Sequence, residues 1–239
     1  MTGIVLAVPS KGRLESATRE VFAEAGLPID RPGGARSYLG SMDALPEVTV
    51  RFLSASEIAR ELIRGGIDVG VTGEDTIHEA AEAGPRQVLF AKPLGFGQAD
   101  AVVAIPDAWI DVTHMRDLSD VASDFRHSHG RWLRVATKYV NLTRRHFARH
   151  GIAEYRIVES LGATEAAPAS GAADLIVDIT SSGSTLQANG LRIIEDGVIL
   201  RSEAQLIVSR NAEWDHDRKA LLGRLFHRLR IDAHPIGGL

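Results

Sequence analysis

The sequence contains no cysteine, and this absence excludes disulfides, thiolate metal sites and thiol nucleophiles together. It also lacks a long apolar run. Residues 1–9 carry one short apolar stretch without a basic leader, which predicts neither a secretory signal nor a membrane-spanning helix. We therefore expect a cytoplasmic protein with no membrane partner.

Positive charge is scarce as well. The formal net charge is −4, so the chain lacks the basic excess that binds a nucleic-acid backbone, and we expect no nucleic-acid partner. The nine histidines predict no structural zinc site, and we assign no residue as a metal ligand. An anionic ligand must then be held by local groups.

Short β-branched runs alternate with helical patterns along the chain. The runs are Ile4–Val8, Val48–Phe52, Asp68–Val71, Val88–Ala91, Asp100–Ile105, Leu133–Ala136, Arg156–Val158 and Leu175–Ile179. This alternation predicts an α/β fold with mainly parallel sheets flanked by helices. One predicted helix has a capping box from Ser54 to Glu57 and ends at Gly65.

The pattern breaks near residues 93–97 and again near 181–190. Two breaks predict a chain that crosses twice between lobes, with lobe I formed by residues 1–92 plus 183–239 and lobe II by residues 93–182. We expect a hinged ligand cleft between the lobes. Residues 211–230 predict an amphipathic helix whose apolar stripe, from Trp214 to Leu229, is covered by its own domain or by another subunit.

Residues 174–186 give the strongest local signal. A predicted buried strand ends at Asp178 and opens into a hydroxyl-rich loop made of Thr180, Ser181, Ser182, Gly183, Ser184 and Thr185. If a helix begins at Ser184, hydroxyls and backbone N–H groups converge on one point, which predicts a phosphate monoester site. Asp178 is placed to accept hydrogen bonds from sugar hydroxyls, although a turn or N-cap aspartate would look the same.

Further polar groups follow other predicted strands, where open α/β sheets bind their ligands. Lys11, Gly12 and Arg13 supply two cations and a flexible backbone, which suit a triphosphate; in the alternative interpretation Lys11 and Arg13 are solvated cations on a first helical turn. A second group of candidates is Thr72, Gly73, Glu74 and Asp75, which ordinary helix capping would also explain. Lys138 and Tyr139 follow another strand. Glu165 is the last candidate, and in the alternative interpretation it only caps a helix.

The loop at 180–185 resembles the phosphoribosyl pyrophosphate loop of phosphoribosyltransferases. With the stretches at residues 8–14, 68–75, 136–143 and 162–168, in that order, the chain resembles the ATP phosphoribosyltransferase family. The resemblance implies a two-lobed, periplasmic-binding-protein-like (type II) fold. It also implies transfer of the 5-phosphoribosyl group of phosphoribosyl pyrophosphate to N1 of ATP, the first step of histidine biosynthesis, with Mg²⁺ on the substrate phosphates.

The resemblance also distributes roles among the candidates. It places Glu165, Asp178 and residues 180–185 at phosphoribosyl pyrophosphate. It places ATP at Lys11, Gly12, Arg13, Thr72, Gly73, Glu74, Asp75, Lys138 and Tyr139. The catalytic residues would be Lys11, Arg13 and Asp178, and no general base is assigned.

The length resembles that of the short form of the family. This resemblance implies a partner similar to histidyl-tRNA synthetase as regulatory subunit, and a homodimer within a hetero-oligomer, with the 214–229 stripe as candidate contact. Two alternatives stay open at this point: a two-lobed binding or sensor module without catalysis, and a phosphoribosyltransferase with another acceptor base.

Overall fold

The computed structural model of the protein describes residues 3–160 and 162–239. The chain divides into two compact units. The first comprises Met1–Gly97 and Glu203–Leu239, and the second comprises Gln98–Ser202. None of the helices within the described ranges is long and apolar enough to cross a membrane.

Strands and helices alternate through much of both units. Up to the first crossing they are β1 (Ile4–Pro9), α1 (Gly12–Glu24), β2 (Leu39–Gly40), β3 (Val48–Leu53), α2 (Ala55–Arg64), β4 (Val69–Gly73), α3 (Glu74–Ala80) and β5 (Val88–Pro93). The second unit contains β6 (Ala99–Pro106), α4 (Met115–His129), β7 (Leu133–Thr137), α5 (Val140–Arg149), β8 (Tyr155–Glu159), β9 (Leu175–Thr180), α6 (Ser184–Ala188) and β10 (Leu191–Ser202). The chain then returns as β11 (Ala204–Ser209) and α7 (His216–Arg228).

The sheet of the first unit has the strand order β2-β3-β1-β4-β11-β5. Strand β1 pairs in parallel with β3 and β4, whereas β2, β11 and β5 add antiparallel pairs. Successive residues of β1 face opposite sides: Leu6 packs with α1 and α7, and Ala7 packs with α2 and α3. Helices therefore cover both faces, and each face has its own apolar core.

The sheet of the second unit has the strand order β10-β6-β9-β7-β8. Strands β9, β7 and β8 are parallel, while β6 and β10 are antiparallel to their neighbours. The α/β prediction is confirmed. The sheets are mixed rather than mainly parallel, because three parallel strands in each unit are extended by antiparallel strands. All of these except β2 bring the chain to or from the crossings.

The crossings lie at 97/98 and 202/203, whereas the sequence analysis placed the boundaries at 92/93 and 182/183. The second boundary differs more because β10 pairs with β6 along its length, from Leu191↔Pro106 to Ser202↔Ala99. Residues 183–202 therefore belong to the second unit. The polar residues 195–197 interrupt the apolar pattern of β10 and coincide with a shift in its register, so this strand was not predicted.

Two helix predictions have clear outcomes. The capping box at the start of α2 is confirmed, with Ser54 and Glu57 bonded to each other's backbone N–H, and Gly65 ends the helix at φ 78°. Helix α7 is present, but its apolar stripe is buried within its own unit: Leu222, Leu225 and Phe226 are each 0% exposed. Of the two alternatives for covering this stripe, packing on its own domain is confirmed for these residues, so they offer no surface to another subunit.

Asp174 connects the start of β9 to the strand beside it. Its carboxylate accepts two hydrogen bonds from Arg131, at 2.7 and 2.9 Å, and one from the backbone N–H of Arg134 at 2.8 Å. Burial by itself raises the pKa of Asp174, but the bonds from the two arginines outweigh it and lower the pKa to about 2. The carboxylate is therefore a charged anchor of the second unit.

Substitution of Asp174 should change how the free energy of unfolding depends on pH. We expect Asp174→Asn to lower the free energy of unfolding by about 1–3 kcal/mol at pH 7, because both arginines lose a charged acceptor. Because the pKa is lowered in the folded protein, the ionised carboxylate stabilises the protein fully at pH values above the pKa of the unfolded chain, near 4. This contribution is lost as the pH falls toward 2. Urea unfolding should show the difference between variant and wild type narrowing from pH 5 to pH 3; a constant difference would contradict the assignment.

His146 on α5 is a buried histidine with an unusual pKa. Its side chain is 7% exposed, and its Nε2 has no hydrogen-bond partner among the described residues. Burial, followed by the nearby positive charges of His150 and Arg149, lowers the pKa of His146 to about 4, and Asp196 opposes the shift. The ring is neutral in the folded protein at physiological pH.

This shift predicts acid sensitivity in a defined window. Between pH 6.5 and 4 this histidine is protonated in the unfolded chain but not in the folded protein. The free energy of unfolding therefore falls as the pH is lowered through this window, and the loss is absent above pH 6.5. The slope is up to about 1.4 kcal/mol per pH unit. We expect His146→Asn to flatten it in urea unfolding, while His227→Asn, at an exposed position of α7, should leave it unchanged.

Candidate active site

The candidate residues of the first unit lie at one edge of its sheet. Because β1 and β4 are parallel neighbours, with Leu6 opposite Val69, the segments that follow them emerge on the same side. Residues 11–13 follow β1 and residues 72–75 span the end of β4 and the start of α3. The strand register therefore places these two segments at the same edge of the sheet.

The loop after β1 presents two cations to solvent. Lys11 is extended, with φ −162°, and Gly12 turns the chain at φ +77° into α1. The side chains of Lys11 and Arg13 are exposed and make no ion pair with the parts of the chain that the structure describes. Their charges are therefore available to an anion.

The loop after β4 is acidic and largely enclosed. Thr72 is fully buried, and its hydroxyl donates to the backbone oxygen of Ala55 at 3.3 Å, so this side chain serves packing. Asp75 is 9% exposed, with its carboxylate folded back toward Gly73. Glu74 lies 3.5 Å from His78. Of this group, Glu74 is the most accessible acidic side chain.

The hydroxyl-rich loop of the second unit connects β9 to α6. Gly183 adopts φ +74°, its N–H donates to the Thr180 hydroxyl at 2.8 Å, and α6 begins at Ser184 as predicted. The hydroxyls of Ser182 and Ser184 are 2.9 Å apart, and with Ser181 and Thr185 these side chains are exposed. Helix α6 has only five residues, so the donors that the loop presents are its hydroxyls and backbone N–H groups rather than a helix dipole.

Asp178 and Lys138 lie side by side beneath this loop. Strands β9 and β7 are parallel, with Val177 opposite Thr137, so the next residue of each strand is adjacent. Lys138 Nζ lies 3.8 Å from the Asp178 carboxylate, whose Oδ1 also accepts the N–H of Ile179 at 2.8 Å. The family resemblance implies different substrates for these two residues; the structure brings them together.

Two other predicted site residues are partly or largely buried. Tyr139 is 7% exposed and packs in the apolar core of the second unit, so its ring presents little surface to a ligand. Glu165 is half-buried in the 3₁₀ turn Thr164–Ala166, which packs against β9. The ligand roles of both residues stay predictions.

No group of three or more histidine, aspartate or glutamate side chains in the described ranges is arranged to hold a metal ion. His146 on α5 and His150, the residue after this helix, are four positions apart, a spacing overlooked in the sequence, and their ring centroids are 4.6 Å apart. They form a pair without a third ligand of these types. A divalent ion at the candidate active site would therefore depend chiefly on oxygens of the substrate.

Arg31 is a residue beside the site that the sequence analysis missed. Its guanidinium donates to the backbone oxygen of Ser10, next to Lys11, at 3.1 Å. The surrounding sequence, Asp30-Arg31-Pro32-Gly33, is typical of a solvated turn, and the contact spans 21 positions. No local pattern could have revealed it.

Known proteins resemble this chain in both sequence and fold. The family model for HisG, ATP phosphoribosyltransferase, matches residues 54–231. An ATP phosphoribosyltransferase of Rhodopseudomonas palustris (strain BisB18) is 53% identical over 237 residues, which cover 98% of this chain and 73% of the relative. That of Chelativorans sp. (strain BNC1) is 57% identical over 219 residues, covering 91% and 95%.

Some relatives are longer. The chain spans 65% of the length of the ATP phosphoribosyltransferase of Bradyrhizobium sp. (strain ORS 278), to which it is 59% identical over 211 residues, 88% of this chain. The chain therefore corresponds to about two thirds of some relatives and nearly all of others.

Solved structures share the fold at low identity. A chain of the ATP phosphoribosyl transferase (HisG:HisZ) complex from Thermotoga maritima aligns with a TM-score of 0.72 at 24% identity, covering 95% of this chain and 96% of that one. The substrate-binding protein of an amino acid ABC transporter aligns with a TM-score of 0.52 at 11% identity, covering 95% and 91%.

The fold thus defines the chain as a two-unit α/β protein of the periplasmic-binding-protein-like class, as the resemblance implied. Sequence similarity narrows this class. The chain belongs to the ATP phosphoribosyltransferase family.

The turn at Gly12 can be tested by paired glycine substitutions. A Cβ at Gly12 would meet no atom within 4 Å, so Gly12→Ala changes only the backbone preference, and φ +77° costs an alanine about 1 kcal/mol of stability. Gly223→Ala, in α7 with equally open space, should instead stabilise by up to about 1 kcal/mol. Urea unfolding of both variants should give shifts of opposite sign; equal shifts would show that Gly12 is not required for its turn.

Proposed function

We propose that this chain transfers the 5-phosphoribosyl group of phosphoribosyl pyrophosphate to N1 of ATP, releasing pyrophosphate, as the first step of histidine biosynthesis. The observation that carries the proposal is the loop from Thr180 to Thr185, with Asp178 and Lys138 beneath it, in a member of this family. A protein that only senses a small solute has no need of a phosphate loop joined to an adjacent carboxylate and ammonium pair.

The second unit would hold phosphoribosyl pyrophosphate. The exposed hydroxyls of Ser181, Ser182, Ser184 and Thr185 would donate to the 5′-phosphate, with backbone N–H groups beside Gly183 approaching it closely. Asp178 would accept hydrogen bonds from the ribose hydroxyls. Lys138, 3.8 Å away, would balance the charge of the carboxylate and of the phosphates.

The first unit would hold the nucleotide. Lys11 and Arg13 are exposed cations at a sheet edge, and a triphosphate is an anion of matching size and charge. Glu74 and Asp75 lie at the neighbouring strand end, where a carboxylate can accept from an amino or hydroxyl group of the nucleotide. Thr72 would contribute through packing, since its hydroxyl already donates to Ala55.

The reaction requires no protein nucleophile. N1 of adenine attacks the anomeric carbon of the sugar with inversion, and the bond from that carbon to pyrophosphate breaks. The sugar gains positive character as the leaving group gains negative charge, so the protein contributes positioning and cations near the pyrophosphate. Lys11, Arg13 and Lys138 are the candidate cations, and Asp178 would orient the ribose.

Magnesium would accompany the substrates. Mg²⁺ in phosphate-handling sites is usually held by one or two carboxylates, water and the substrate phosphates, and it neutralises charge on the leaving group. Glu74 in the first unit and Asp178 in the second are each partly exposed carboxylates, and either one fits such a limited contribution. The remaining ligands would be substrate oxygens.

We also propose a partner and a location. The Thermotoga chain that shares this fold comes from a complex of HisG with HisZ, and the Chelativorans relative has nearly the length of this chain. A short-form enzyme with a regulatory subunit similar to histidyl-tRNA synthetase, assembled from homodimers, agrees with both. The cytoplasm is the proposed location, because ATP and phosphoribosyl pyrophosphate are made and used there.

The decisive assay follows the absorbance of N1-substituted adenine. The purified chain is mixed with ATP, phosphoribosyl pyrophosphate, Mg²⁺ and pyrophosphatase, with and without the regulatory subunit. A signal that requires both substrates establishes the transferase. A folded chain that binds phosphoribosyl pyrophosphate but gives no signal in either condition would indicate another acceptor base, and failure to bind would indicate a sensor.

Asp178 offers the sharpest single substitution. We expect Asp178→Ala to lower kcat/KM for phosphoribosyl pyrophosphate by about 100-fold, because the ribose loses its orienting acceptor. The melting temperature should change little, since within the described ranges the side chain accepts one hydrogen bond, from its neighbour Ile179, and lies near Lys138. Asp124→Ala, an exposed carboxylate on α4, is the matched control and should have wild-type kinetics. Unchanged kinetics in folded Asp178→Ala would remove this residue from the mechanism.

A further inference from the structure

Arg31 is a buried arginine at the base of the Lys11–Arg13 loop. It lies between α1 and β2, outside every helix and strand, yet its side chain is only 6% exposed. An arginine is almost never buried unless its charge and its donors are engaged. The groups that engage Arg31 come from both sides of the loop.

The first group is the backbone of Ser10, the residue between β1 and Lys11. Arg31 Nη1 donates to the Ser10 oxygen at 3.1 Å, while the Ser10 N–H donates to the oxygen of Leu53 at 2.9 Å. Ser10, the residue that precedes Lys11, is therefore held at both of its backbone polar atoms. This fixes the direction in which the chain leaves β1.

The second group is Glu15, on the first turn of α1. The same Nη1 lies 2.9 Å from the Glu15 carboxylate, and Arg19 approaches that carboxylate only to 3.9 Å. Glu15 stands two residues after Arg13, so an unneutralised carboxylate here would repel an anion at the loop. It could also pair with Lys11 or Arg13 and withdraw them from a ligand.

Two further contacts hold the guanidinium in place. Its Nε donates to the Ser37 oxygen at 2.9 Å, and its carbon lies 3.9 Å from the centre of the Phe52 ring, a cation–π contact. Backbone, carboxylate and ring are thus engaged at once by one planar group. A lysine has one ammonium on a flexible stem and cannot reproduce this arrangement.

We infer that Arg31 is a positioning residue for the Lys11–Arg13 loop: it fixes the loop through the Ser10 oxygen and neutralises Glu15, so that Lys11 and Arg13 stay available to the triphosphate. The inference rests on the proposed function for the identity of the ligand. Arg31 itself does not touch the ligand, because its side chain is buried against protein.

Kinetics give the first test. We expect Arg31→Ala to raise KM for ATP about tenfold, with KM for phosphoribosyl pyrophosphate changing by less than about twofold, because only the loop of the first unit is loosened. Arg19→Ala is the matched control. It removes an arginine near the same Glu15 carboxylate but leaves Ser10 held, so KM for ATP should stay at the wild-type value.

A double variant separates charge from packing. If Glu15 withdraws the loop cations when Arg31 is absent, then Arg31→Ala with Glu15→Gln should recover a measurable part of the lost affinity for ATP. A role confined to stability predicts a lower melting temperature with unchanged KM values. That result in folded Arg31→Ala, or an equal KM increase in Arg19→Ala, would overturn the inference.

Amide hydrogen exchange tests the loop without any catalysis. We expect residues 10–14 to exchange about tenfold faster in Arg31→Ala than in wild type or Arg19→Ala, since the backbone before Lys11 is no longer held. Arg31→Lys keeps the charge and most of the volume, and should accelerate exchange as well, which covers the case in which the alanine variant fails to fold. Wild-type exchange in both Arg31 variants would overturn the inference. An inactive wild type with Arg31-dependent exchange would instead refute only the proposed function.

Discussion

Parallel pairing of three strands in each unit is the constraint on which the candidate site depends. Parallel strands end at the same edge of a sheet, so segments far apart in sequence become neighbours there. Residues 11–13 and 72–75 lie at the same edge in this way in the first unit, and Lys138 approaches Asp178 in the second. The antiparallel strands can be added at the sides without disturbing these edges.

A second principle is the separation of charges that hold the fold from charges that are offered to a ligand. Two of the acids that hold the fold are paired: Asp68 with Arg218, and Asp174 with Arg131 and Arg134. Lys11 and Arg13 make no ion pair within the described ranges, so binding an anion breaks no existing ion pair.

Local signals predicted most of the fold and the outline of the site. The strand that ends near Asp178 and the helix start at Ser184 can be read from a few adjacent residues, because apolar runs and glycine turns are encoded locally. Strands β10 and β11 were not predicted, since charged residues interrupt the first and only Glu203 separates the two. The burial of Tyr139 and the contact from Arg31 to Ser10 depend on packing between distant segments, which no local pattern records.

The position of β11 has a consequence for synthesis. This strand lies between β4 and β5 in the sheet of the first unit, yet it follows the entire second unit in the sequence. The second unit is one continuous segment and can fold as soon as Ser202 has left the ribosome. The sheet of the first unit cannot be completed until β11 emerges, so the topology favours completion of the second unit before the first.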